Sequence, residues 1–145
     1  MKRSLRLDRL ARLARTTEQV AAQALARAQQ DLAHLEAQQR ELRGYQAEYL
    51  KRFIGGSAAG LRGYEAQKLR VFVQRVEEAI GAMAQRIAMA SSRCERERLR
   101  WLTHRQQAKA QSTLVARARV EEFVVTELRL EREIDDRGAV HKTAH

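Results

Sequence analysis

The sequence has 145 residues, a formal net charge of +10, no proline and one cysteine; 32% of its residues are charged and only 5% are aromatic. That is the length of one domain, but with so few large apolar side chains it excludes a thick globular core. It excludes an internal disulfide and, since no apolar run approaches ~20 residues, a membrane-spanning helix.

Ala, Leu, Arg, Glu and Gln dominate, and all of them lose little side-chain freedom in a helix. The expected fold is therefore all-α, a single coiled-coil domain over residues 1–145 built as a long two-helix antiparallel hairpin with the longer helix second. The chain opens on basic turns, MKRSLRLDRLARLAR. Arg and Asp interrupt this start before an apolar run of signal-peptide length develops, so a cytoplasmic protein is expected. The first helix is predicted over about 4–53, with a seam of Leu25, Ala28, Leu32, Leu35, Gln39, Leu42, Gln46, Tyr49 and Phe53 at heptad spacing.

IGGSAAGLRG, residues 54–63, holds four of the seven glycines and is the one strong turn, placed at about 54–60. Gly55 is expected to end the first helix in a left-handed conformation, and Ser57 to cap the second. The second helix is predicted over about 60–136, with Val73, Val76, Ile80, Met83, Ile87, Ala90 and Cys94 on its seam. Beyond Cys94 the seam turns polar (Glu97, His104, Gln111), and Trp101 is expected to face Ala14, Thr17 and Ala21. A flexible tail is expected over 137–145, after Gly138.

Folding the second helix onto the first at about 1.5 Å per residue pairs positions whose numbers add to about 118. The first helix then runs out near residue 112, and 113–136 overhangs with Phe123, Val124, Val125, Leu128 and Leu130 uncovered. The hairpin is expected to be tight near the turn and looser toward its open end. Five of the seven aromatics (Tyr45, Tyr49, Phe53, Tyr64, Phe72) gather near the turn. Phe72 and Ala79 lie beside the second seam, and Gln38 and Tyr45 beside the first. Together they suggest a shallow patch of Gln38, Leu42, Tyr45, Tyr49, Phe72, Val76, Ala79 and Met83. Such a stripe either broadens the core or offers tyrosines to a partner.

No catalytic constellation emerges, and no cofactor or metal is expected. The four histidines are scattered, and His141 with His145 lacks a third converging ligand. Cys94 reads as a small seam residue. RCERERLR is a solvated, ion-paired helix face. The charge raises nucleic acid, anionic membranes and acidic proteins as partners. Basic and acidic residues alternate along both helices, however, and no nucleic-acid-binding motif appears, so a specific nucleic acid is not expected.

In order and spacing, LRLDRLARLA, EQVAAQALARAQQDL, LRGYQAEYL, YEAQKLRVFVQRVEEAI, the arginine-rich run into Arg100–Trp101, and ELRLEREIDD resemble the flagellar export protein family FliJ over nearly the whole chain. Injectisome stalk proteins share the architecture. The resemblance implies a non-enzymatic stalk at the cytoplasmic face of the inner membrane, monomeric in isolation. It implies as partners a hexameric export ATPase, a transmembrane export gate protein and export chaperones. The gate-binding positions of the family fall on Gln38, Leu42, Tyr45, Tyr49, Phe72, Val76, Ala79 and Met83; at Val76 and Met83 this chain departs from the commoner Leu and His. The family's insertion into the ATPase ring implies contacts from Arg3, Arg6, Arg9 and Arg12 and from Val120, Phe123, Val124 and Leu130. Two other classes fit the composition: a scaffold that dimerises through 113–136, and a basic hairpin that binds RNA or a membrane surface.

Overall fold

A computed structural model describes residues 2–56 and 63–143. It contains two helices, α1 (Arg3–Gly56) and α2 (Gly63–Thr143), and no strand among the described residues. Both outrun their predicted ends: α1 continues through Gly55 to Gly56, and α2 runs through Gly138 into the expected tail. Glycine lowers helix propensity by about 1 kcal/mol but, unlike proline, sets no geometric bar. Ser57 and His145 lie outside the described residues, as do the side chains of Phe53 and His141.

The helices pack against each other in two compact units, one formed by residues 22–100 and the other by residues 1–21 with 101–145. In the first, antiparallel pairing is marked by Tyr49 against Phe72, Gln46 Nε2 donating to Glu77 Oε1 at 3.1 Å, and Arg93 paired with Asp31 at 3.7 Å. The predicted seam is the covered stripe here: Leu32, Leu35, Leu42 and Tyr49 of α1, and Val73, Val76, Ile80, Met83, Ile87, Ala90 and Cys94 of α2, are all half-buried. Among the described residues of this unit, Ala28 alone is almost fully covered.

In the second unit the register differs from expectation. Position 4 was expected level with about residue 114; instead Ser4 meets Glu122, and Asp8 meets Arg119 at 3.5 Å. Residues 113–122 are therefore paired, with Val115 and Ala118 only 6% and 4% exposed. From Phe123 to Val140 every residue of α2 is exposed. The expectation of a loose open end is also corrected. Ser4, Ala11 and Ala21 of α1 and Ala108, Val115 and Ala118 of α2 are the buried residues among those described in this unit. Side chains this small let two helices approach until their backbones cover the contact.

The polar part of the seam is present, and half-buried, at Glu97, His104 and Gln111. Gln111 Oε1 is buried without a hydrogen-bond partner, and Glu97 Oε2 has only the guanidinium of Arg100 at 3.9 Å. Leaving such groups unsatisfied costs stability, so these layers hold less firmly than the alanine layers beside them. Trp101 is half-buried, with the Arg105 guanidinium 5.2 Å from its ring centroid.

Candidate docking surfaces

Around the turn-proximal aromatics of the 22–100 unit, α1 contributes Leu42, Tyr45 and Tyr49 and α2 contributes Phe72 and Val76 to one groove, rimmed by Glu48 and Arg52. Heptad spacing puts Leu42, Tyr49 and Val76 on the seam, and all three are half-buried. Tyr45 and Phe72 stand one step outside it. The rings of Tyr49 and Phe72 lie 4.1 Å apart, centroid to centroid, at 37°. Phe72 therefore pairs with Tyr49 and not with Tyr45, the other residue beside a seam. Tyr45 is 57% exposed, and its hydroxyl donates to Glu41 Oε1 at 3.3 Å, one turn back on the same helix. That bond turns the phenol along α1 and leaves a ring face open. Five of the eight expected patch residues thus line one groove. Gln38 and Met83 are half-buried farther along the same stripes, and Ala79 is exposed.

The other unit carries a surface of different chemistry. Val120, Phe123, Val124 and Leu130 are 62%, 65%, 48% and 47% exposed. At 100° per residue Val120 and Val124 lie roughly opposite Val115, Ala118 and Glu122, whereas Phe123, Leu130 and Ile134 lie about a quarter to a third of a turn from them. Past Glu122 the apolar residues spread around the helix: Val125, seven residues on from Ala118, continues the seam stripe, yet it is half exposed because no residue of α1 covers it. Of the four basic residues expected here, Arg3 approaches Glu121 at 3.9 Å and Arg12 pairs with Asp8 at 2.8 Å. Arg6 and Arg9 are exposed and make no ion pair among the described residues.

One contact holds the start of α1. The Ser4 backbone N–H donates to Glu122 Oε1 at 3.1 Å, and Ser4 Oγ donates to Glu122 Oε2 at 2.7 Å. α1 has no acidic residue in its own first turn, so the carboxylate that favours a helix N-terminus comes from α2. The hydroxyl and then the backbone N–H of Ser4 hold the Glu122 carboxyl below the usual range, with Lys2 and Arg119 adding to the effect. Glu122 is also where pairing stops.

A family profile described as Flagellar FliJ protein matches residues 1–140. The chain belongs to the FliJ family. No curated protein and no solved structure matches it.

For a FliJ-family chain, three features of these surfaces matter. Among the described residues no group of His, Cys, Asp and Glu could hold a metal ion. No described helix is long and apolar enough to cross a membrane. Sequence reasoning missed a second groove, lined by Tyr64, Gln67, Lys68, Val71, Phe72 and Arg75 of α2. A signal for it exists, because Tyr64, Lys68, Val71 and Arg75 recur at three- and four-residue spacing. It went unread because the stripe lies on the far side of α2 from the seam.

Proposed function

We propose that this FliJ-family chain is a non-enzymatic stalk of the flagellar type III export apparatus. In this reading residues 2–12 and 120–134 engage the ring of the hexameric export ATPase and promote its assembly. The Leu42–Tyr45–Tyr49–Phe72–Val76 groove docks on the cytoplasmic part of the transmembrane export gate. Export chaperones are further partners, and the chain works at the cytoplasmic face of the inner membrane as a monomer until it joins the ring. The observation that carries the reading is an exposed docking surface in each unit of one small all-helical chain, aromatic in one and aliphatic and basic in the other. A hairpin that only supported itself would have no use for Phe123 or Tyr45 in water.

The test is binding of the full chain to the gate protein's cytoplasmic domain and, separately, to the ATPase. Tyr45→Ala with Tyr49→Ala should abolish gate binding while ATPase binding and helical circular dichroism persist. Unchanged gate binding would remove the groove from the reading. Charge reversal of Arg6, Arg9 and Arg12 should weaken stimulation of the ATPase, and intact stimulation would dismiss the basic turns.

The exposed apolar stretch after Glu122 also favours a second reading, a scaffold that dimerises through it. Sedimentation separates the two. A monomer that joins an ATPase ring supports the stalk, and a tight homodimer indifferent to the ATPase supports the scaffold.

A further inference from the structure

The groove formed by Tyr64, Lys68, Val71 and Arg75 is not explained by the hairpin. At 100° per residue these four side chains lie roughly opposite Val73 and Ile80, which face α1. No widening of the two-helix core can reach them. Tyr64 is 70% exposed and Val71 is 44% exposed, so apolar surface lies open on the back of α2. Phe72 lines this groove and the Tyr45–Tyr49 groove alike, and the two are of comparable volume, about 440 and about 390 Å³. The aromatic surface therefore continues around α2 without a break.

The two grooves differ in charge. Glu48 and Arg52 balance on the rim of the Tyr45–Tyr49 groove. The other is lined by Lys68 and Arg75 with no carboxylate. Lys68 Nζ sits 4.6 Å from the Tyr64 ring centroid, which holds the ammonium over the groove. Arg75 makes no ion pair among the described residues. Two cations that form no ion pair among the described residues, beside an open tyrosine and valine, favour a ligand with carboxylates flanking an apolar side chain.

We propose that this back face of α2 is a second half of the gate-docking surface, and that it takes an acidic segment of the gate protein bearing one apolar anchor residue. The anchor packs between Tyr64 and Val71, and its neighbouring carboxylates accept hydrogen bonds from Lys68 and Arg75. The proposal rests on the reading of the Tyr45–Tyr49 groove as the gate's docking site, and adds the partner's chemistry to it.

The experiment titrates the purified full chain with the cytoplasmic domain of the gate protein at low and high salt. The variants are Tyr64→Ala, the pair Lys68→Glu with Arg75→Glu, and Tyr45→Ala with Tyr49→Ala. All these side chains are exposed or half-buried, and circular dichroism checks that each variant keeps its helices. Tyr64→Ala and the charge-reversed pair should each weaken binding about tenfold or more, as anchor positions do. Wild-type affinity should fall as salt rises, and that dependence should flatten in the charge-reversed pair. If the back-face variants bind like wild type while Tyr45→Ala with Tyr49→Ala does not bind, the present proposal is overturned and the docking reading survives. If wild type does not bind the gate domain at all, both fall together. Binding of the back face to anionic lipid vesicles, lost in the charge-reversed pair while gate binding stays intact, would also overturn it.

Discussion

Ala11, Val115 and Ala118 in one unit are almost wholly covered, while Tyr45, Tyr49 and Phe72 in the other, far larger, stay partly open. A two-helix hairpin has no third layer. A side chain is sealed only if it is short enough for the facing helix to cover, and a long one reaches past its partner into water. Size along the seam therefore sorts the chain into sealed layers and layers available for docking. The residues most typical of a hydrophobic core are here the ones left at the surface.

Five changes bear on this contrast. Ala118→Leu should be the most damaging, because a layer sealed by small side chains has no room for three more carbons. It should lose about 1–3 kcal/mol in thermal or chemical unfolding. A stable variant would mean the alanine layer is looser than its burial indicates. Among the aromatics, Tyr49→Ala removes a ring pair and should cost about 1 kcal/mol. Tyr45→Ala should cost less than about 0.5 kcal/mol, since its ring rests on little. Equal losses at both positions would erase the distinction between seam and surface.

A smaller effect is expected at the start of α1. The Glu122 carboxyl is held below its ordinary range by Ser4, so the contact contributes fully above the usual glutamate pKa and is lost as pH falls through the folded value. Protection of the backbone amides in the first turn of α1, relative to their intrinsic exchange, should then fall on acidification, and Ser4→Ala should weaken that pH dependence by removing the hydroxyl's bond. The smallest effect belongs to Glu95, whose carboxyl is lowered first by its hydrogen bond from Arg98 and then by that group's charge. Both side chains are exposed and three residues apart on one helix. Glu95→Gln should leave the melting temperature unchanged within error, and a clear drop would point to a wider charge network.

Much of this was legible in residue spacing. The alternation of three and four from Val73 to Cys94, and its polar continuation at Glu97, His104 and Gln111, depends on helical geometry alone and reappears in the structure. The pairing of Ser4 with Glu122 was not legible, because register between two helices depends on how the turn joins them. An alanine-rich stretch also carries no large residues to mark where contact ends. Gly55 and Gly138 read as stops, yet a glycine only weakens a helix. Tyr64 counts among the turn-proximal aromatics, but its stripe with Val71 lies behind the seam, where heptad spacing carries no signal.

The end of pairing at Glu122 has a consequence for how the chain meets proteases. Beyond it, Arg129, Arg132 and Arg137 sit on a helix with nothing packed against it, and such a helix opens locally at little cost. Arg117 and Arg119, also exposed, belong to the stretch where Val115, Ala118 and Glu122 are held against α1. Trypsin in limiting amounts should trim the first group and spare the second, leaving a fragment that ends just past the Ser4–Glu122 contact.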